Sequence, residues 1–130
     1  CNRLLDFPLL RTRMLFWGNY RYDLTGYLHW GLNHWRGDPF TDTCPTNGPT
    51  NLLPAGDTNI VYPLGESALP SMRAEVSRCG AEDYELLRAL AGKDKSAADA
   101  ICSAMLRAFD DCDNAPDAFD AAHDRLLDAL

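Results

Sequence analysis

Residues 36–58, RGDPFTDTCPTNGPTNLLPAGDT, restrict the fold more than any other part of this 130-residue chain. Pro39, Pro45, Pro49 and Pro54, interspersed with Gly37, Gly48 and Gly56, deny the stretch a long helix or a central strand. Proline lacks the donor N–H, and glycine carries excess backbone freedom. The segment reads as one long loop, and loops beyond about a dozen residues in compact domains are usually functional or disordered.

What flanks the loop leaves room for three strands at most. Before it, NRLLDFPLLRTRMLFWGNYRYDL reads as a strand end followed by a helix. Asp6 is placed to cap that helix and Pro8 to sit in its first turn, while Leu10, Met14, Trp17 and Tyr20 fall on one face. Gly26 breaks the pattern, and YLHWGLNHW follows with strand character, which predicts a β-α-β unit with parallel strands. After the loop, NIVYPL reads as a short strand stopped by Pro63.

The remainder is helical. Met72, Val76, Cys79, Asp83, Leu86 and Leu90 alternate at spacings of four and three, with Gly92 as a stop. Ser96 can cap a second helix, with Ala98, Ile101, Met105 and Phe109 as its stripe. A third restarts at Asn114 and buries Phe119, Ala122, Leu126 and Leu130, and the last two helices are expected to form an antiparallel hairpin.

Strand, helix, strand, loop, strand, helix is a fraction of the α/β barrel pattern, which in full takes about 250 residues and eight strands. The expected class is therefore α/β: residues 1–92 as the C-terminal portion of a (β/α)8 barrel with two to three parallel strands, and residues 93–130 as an acidic helical hairpin. A chain that begins at Cys1 with no methionine is read as a piece of something larger, and its unpaired strand edges predict self-association.

Charge and cysteine narrow the classes of function. The net charge of −7 lies wholly in residues 66–130, which carry fourteen acidic and seven basic side chains, so nucleic acid is not an expected partner. No run approaches the roughly eighteen apolar residues of a membrane span. Cys1, Cys44, Cys79, Cys102 and Cys112 are odd in number and contain no C-x-x-C, which argues for buried reduced thiols over a disulfide framework or zinc site. His29 and His34, five apart, suit one face of neither a helix nor a strand, so no metal is expected. The acid-rich DDCDNAPD has neither the central glycine nor the closing glutamate of a calcium loop and reads as a solvated turn.

GYLHWGLNHW, residues 26–35, is the chemically loaded segment. A strand that only fills a core would run to Val, Ile and Leu, whereas this one is rich in groups with an apolar body and a polar handle. Such groups line sugar sites, and Trp and Tyr are also ordinary core residues.

NRLLDFPLLRTRMLFWGNYRYDLTGYLHWGLNHW, then GDTNIVYPL, then LPSMRAEVSRCGAEDYELL, resemble the C-terminal part of the catalytic domain of glycoside hydrolase family 123 and the related domain of unknown function 4091. The shared motifs are a tryptophan helix, G-[aromatic]-L-x-W-x-x-N-x-W, a G-D loop followed by V-Y-P, P-S-x-R and G-x-E-D-Y-E, over roughly residues 2–90. The resemblance implies a (β/α)8 β-N-acetylgalactosaminidase in which the substrate's own acetamido oxygen attacks the anomeric carbon. An adjacent Asp-Glu pair orients that group and protonates the leaving oxygen. Glu82-Asp83 has the wrong order and lies on a helix, and Asp110-Asp111 lies in the tail, so the pair is expected upstream of Cys1 and no catalytic residue is assigned here.

Trp30, Asn33, Trp35, Tyr62 and Asp57 are the candidate substrate-binding residues. Indole faces stack on pyranose rings, an asparagine amide donates to and accepts from hydroxyls, and Asp57 could reach one. Each has a plainer alternative: core filling for Trp30 and Tyr62, a turn for Asp57. Asp83, a carboxylate on an apolar stripe, calls for a partner, and Arg13 or Arg11 on the first helix is the expected one, in a structural ion pair. The expected function is a sugar-subsite-forming piece of a glycoside hydrolase, inactive alone and without cofactor. The rival is a non-catalytic carbohydrate-binding or interaction module.

Overall fold

The crossing of two helices organises the molecule. In the computed structural model, which describes residues 1–130, the elements in chain order are α1 (Leu9–Arg21), β1 (Thr46–Asn47), β2 (Asn51–Leu52), β3 (Val61–Leu64), β4 (Ser67–Pro70), α2 (Met72–Lys93), α3 (Lys95–Met105), β5 (Leu106–Ala108), β6 (Asp111–Cys112) and α4 (Pro116–Asp128). Helices α1 and α2 meet at Gly80, which is buried against α1: a Cβ there would lie 2.7 Å from Phe16 Cδ2 and 2.8 Å from the Arg13 carbonyl oxygen. Around this contact one core collects Met14 and Trp17 from α1, Leu87 and Leu90 from α2, Ile101 and Met105 from α3, Leu106 from β5, and Phe119 and Leu126 from α4.

The strands correct the expected class. Every pairing is antiparallel and every sheet two-stranded: β1 with β2, β3 with β4, β5 with β6. There are no parallel strands and no portion of a (β/α)8 barrel; the chain is a small mixed α/β structure of four helices and short hairpins. Residues 26–35 do not enter a ladder because their backbone is committed elsewhere. Gly31 is pressed onto residue 58, where a Cβ would sit 2.6 Å from the Thr58 carbonyl oxygen. The contact with residues 58–61 is one antiparallel bridge, Asn33 with Asn59, flanked by Ile60 N–H donating to the Leu32 carbonyl at 2.9 Å and His34 N–H to that of Thr58 at 3.1 Å.

Several local expectations shift for physical reasons. Pro63 lies inside β3 opposite Ala68 instead of ending it, and a two-stranded hairpin offers only edges, where proline is tolerated. The turn uses Gly65 at φ +56°, so Ser67–Pro70 returns as β4 before α2 begins. Pro8 is the N-cap of α1, and Asp6 makes no capping bond. Ser71 caps α2 by accepting from Ala74 N–H at 3.3 Å, and Gly92 lies within that helix. Asp94, not Ser96, caps α3, accepting from Ala97 N–H at 3.0 Å. The inward face of α2 is Arg73, Gly80, Asp83, Leu87 and Leu90, while Met72 is exposed. Phe109 lies in the β5–β6 turn, over Gly18 of α1 and stacked on Tyr22 with centroids 4.8 Å apart.

All five cysteines are free, but only Cys102 is buried; Cys1, Cys44, Cys79 and Cys112 are partly exposed, which corrects the expectation of five buried thiols. Burial pushes the Cys102 thiol up to about 12, which leaves it a small core residue and not a nucleophile.

Asp83 joins three helices. It is 1% exposed and accepts from Arg13 Nε at 2.6 Å, Arg13 Nη2 at 2.8 Å and Trp17 Nε1 at 2.8 Å. His123 Nε2 of α4 lies 3.2 Å from its Oδ1. The Arg13 guanidinium also lies 4.4 Å over the Phe119 ring of α4. Burial pulls Arg13 down, but the bond and charge of Asp83 outweigh it and hold the guanidinium above its ordinary value.

Two measurements test this packing. Gly80→Ala is expected to destabilise the protein by about 1–3 kcal/mol, because the new methyl meets backbone as well as a ring. Gly92→Ala, with nothing within 4 Å of the added Cβ, should stabilise by about 0.5–1 kcal/mol. Urea denaturation of the two variants should thus give midpoints on opposite sides of the wild type. Asp83→Ala should cost about 3–5 kcal/mol in the same measurement, since it strands a guanidinium and an indole N–H.

Candidate functional site

A row of rings runs along the surface beside α1. Phe16 meets Tyr27 edge-on at 6.0 Å, Tyr27 neighbours His29 at 6.3 Å, His29 stacks on Trp30 at 6.2 Å, and Trp30 tilts against His34 at 5.4 Å. Its last three members, His29, Trp30 and His34, are tied to the protein. Asp57 accepts from Trp30 Nε1 through Oδ2 at 3.0 Å and from His29 Nε2 through Oδ1 at 3.2 Å. His34 Nε2 accepts from Arg36 Nε at 3.0 Å. The outcome is an indole that is 53% exposed yet held at its nitrogen.

The protonation of His29 follows from its neighbours. Its Nδ1 has the Gly31 N–H and the Gly31 carbonyl both at 3.2 Å, but Arg3 Nη2 at 2.5 Å can only donate, so Nδ1 carries the lone pair and Nε2–H points at Asp57. Burial first, then the charge of Arg3, pulls the imidazole below its ordinary value, against the opposing charge of Asp57. His29 is therefore neutral at pH 7. A His-Asp pair of this kind resembles a catalytic dyad, but both ring nitrogens are engaged, which leaves no basic site for a substrate proton.

Arg3 lies against the row at His29, and Arg73 lies beside Arg3 at the Gly56 turn, each only 3% exposed. Arg73 Nη1 donates to the Arg3 carbonyl at 2.8 Å and the Gly56 carbonyl at 2.7 Å, and Nη2 to the Tyr62 hydroxyl at 3.3 Å. Gly56, at φ +73°, is required there: a Cβ would sit 2.7 Å from Arg73 Nη1 and 2.8 Å from Leu5 Cγ.

The five candidate residues fall into separate groups. Trp30 and Asp57 are bonded to each other. Asn33 has an exposed side chain on the bridge to Asn59. Trp35 is half-buried and donates Nε1–H to the Val61 carbonyl at 3.0 Å. Tyr62 accepts from Arg73, packs on Phe40 at 4.9 Å and borders a mainly apolar cleft of about 180 Å³ with Leu4, Phe7 and Met72. A second cleft of about 240 Å³ is lined by Arg3, Tyr27, His29 and Ser77 among others, and a third of about 340 Å³ lies between the end of α1 and α3, beside Tyr20, Arg21, Lys95 and Ser103. Trp30, Asn33, Trp35 and Asp57 line none of these three.

Sequence reasoning weighed His29 only as a metal ligand and passed over Arg3. Arg73 was legible as the arginine of P-S-x-R, without any sign that it would be buried. No three metal-ligating side chains converge anywhere in the structure.

The structure thus presents an exposed aromatic row braced by a buried arginine and a carboxylate. Residues 1–90 match the family model described as Glycoside hydrolase 123, catalytic domain. The chain belongs to glycoside hydrolase family 123, and with it to carbohydrate metabolism. Helices α3 and α4 lie beyond the matched residues. No curated protein matches the chain.

Because the folded state holds His29 neutral, it loses stability as pH falls. Its share is fully present above the unfolded value near 6.5 and disappears as pH drops through the lower folded value. Thermal unfolding of wild type and His29→Gln between pH 8 and pH 5 should show wild type declining more steeply below about 6.5, with the two curves parallel above it.

Proposed function

We propose that this chain forms part of the glycan-binding surface of a family 123 glycoside hydrolase, with Trp30 as the stacking platform. One observation carries the reading: the Trp30 indole is half exposed while its nitrogen is fixed by Asp57, which is itself fixed by His29. A held ring loses little freedom when a pyranose stacks on it, so more of the contact energy appears as affinity. Asp57 retains lone pairs beyond those used by His29 and Trp30 and can accept from a sugar hydroxyl. Asn33 supplies an exposed amide, and Trp35 and Tyr62 extend the apolar edge. Residues 1–92 carry this surface, and residues 93–130 brace it through α4 and Asp83.

The substrate class that best fits is a glycan ending in β-linked N-acetylgalactosamine or a related hexosamine, cleaved with assistance from the substrate's acetamido group. Nowhere in the chain does an aspartate immediately precede a glutamate, so the acid pair of that mechanism is supplied by residues outside it. The chain on its own is then a binder without turnover.

Titration of the protein with N-acetylgalactosamine, followed by calorimetry, tests the platform. Trp30→Ala should weaken binding about 5- to 30-fold, the loss expected for one stacking contact of about 1–2 kcal/mol, and Trp30→Phe should recover part of it. Equal affinity in all three proteins would remove Trp30 from the site. In a longer protein carrying this chain, hydrolysis of an aryl N-acetyl-β-galactosaminide that is lost on amidating an Asp-Glu pair would support the enzyme. Saturable binding without hydrolysis would support a binding module instead.

A further inference from the structure

The two buried arginines Arg3 and Arg73 have no matching acids. Neither Arg3 nor Arg73 forms a salt bridge with a carboxylate, although each is 3% exposed. The one acid in their network is Asp57, whose oxygens already accept from His29 and Trp30, and His29 between them is neutral. The cluster therefore holds two positive charges against one negative. A buried cation without a counter-ion is costly.

Arg73 meets its needs with two carbonyls and the Tyr62 hydroxyl. Arg3 does not. Only its Nη2 is bonded, to His29 Nδ1 and, at 3.5 Å, to the Asp57 carbonyl, whereas Nε is buried with no acceptor. Arg11 Nε is the other buried side-chain polar atom without a partner, but Arg11 lies 4.7 Å over the Phe7 ring and borders none of the three clefts. Arg3 borders the cleft of about 240 Å³, together with Tyr27, Ser77 and the apolar Phe16, Leu32 and Ile60. That volume is below the ~300–1,000 Å³ of ordinary ligand pockets and suits a single small ring or its charged substituent.

We propose that this cleft is a subsite for an anionic sugar, with Arg3 as the counter-ion to the sugar's carboxylate, Tyr27 and Ser77 as hydroxyl partners, and Phe16 against the ring. The proposal deepens the carbohydrate reading and rests on it only for the sugar part of the ligand; the anion part stands on Arg3 alone. Guanidinium supplies planar N–H donors matched to carboxylate geometry, and a desolvated floor strengthens the bond. The acid group completes the charge balance of the arginine pair, and the row from Tyr27 to Trp30 then leads from this subsite to the stacking platform.

The test is an NMR titration of the intact protein with glucuronate, acetate, inorganic sulfate and neutral methyl glucoside. Glucuronate should shift the amide signals of Tyr27, Gly31 and Ser77 saturably, acetate the same signals more weakly, and methyl glucoside none of them. Sulfate matching acetate would mean that the subsite reads charge; sulfate without effect would mean that it reads a planar carboxylate; either outcome supports an anion subsite. Arg3→Gln should weaken glucuronate at least about tenfold, as expected for losing a charged hydrogen bond. Should that variant fail to fold, Tyr27→Phe, which leaves the arginine in place, should weaken it about two- to tenfold. No saturable shift with glucuronate or acetate at concentrations on the order of 10 mM would overturn the proposal. Shifts that survive both substitutions would overturn it as well. Acetate binding without glucuronate binding would reject the sugar assignment, and loss of N-acetylgalactosamine binding in Trp30→Ala with glucuronate unaffected would separate the two sites.

Discussion

A buried carboxylate that receives three N–H donors holds this molecule together. Asp83 on α2 is reached by Arg13 and Trp17 from α1, and His123 of α4 lies 3.2 Å from it. An unpaired carboxylate at this depth would be untenable, so the side chain enforces a single docking of α1 on α2. Gly80 allows that approach by presenting no side chain one helical turn away. The Arg13 guanidinium then lies 4.4 Å over the Phe119 ring, and Phe119 packs on Trp17 at 5.6 Å, so the same contact recruits α4. The electrostatic knot and the apolar core are thus one structure.

The surface follows from that docking. With α1 and α2 placed, the chain entering α1 brings Arg3 beneath residues 27–32, and the first turns of α2 bring Arg73 beneath Gly56. The long loop is pinned from below at Gly56 by Arg73 and from the side at Gly31 against Thr58. Both glycines stand where any side chain would collide with a guanidinium or a carbonyl. Asp57 sits between these pins, and it aims Trp30 outward while keeping His29 neutral. The exposed Trp30 indole therefore owes its orientation to the Asp57 carboxylate.

Helices were legible in the residue pattern and sheets were not. Helical stretches announce themselves by spacings of three and four, and α1, α2, α3 and α4 lie where those spacings occur. Their ends moved because caps compete locally: Asp94 outbids Ser96 by standing directly before the first turn of α3. The face of α2 shifted because the periodicity of apolar residues carries no information about a glycine crossing or a buried arginine. Parallel pairing was inferred from the order of elements, which is a global property. The observed hairpins instead answer to turns such as Gly65 and to which backbone groups are already occupied at Gly31 and Thr58.

Read from its residues alone, the chain declares its family, its helical segments, the aromatic character of residues 26–35 and the oddity of an aspartate on an apolar stripe. These are legible because motif, spacing and residue chemistry are local along the chain. Folding in three dimensions determines which aspartate orients Trp30, that His29 is neutral, that Arg3 and Arg73 are buried without acids, and that every strand pair is antiparallel. Each of these depends on groups tens of residues apart meeting at hydrogen-bonding distance. A one-dimensional pattern of charge and hydropathy does not encode such distances.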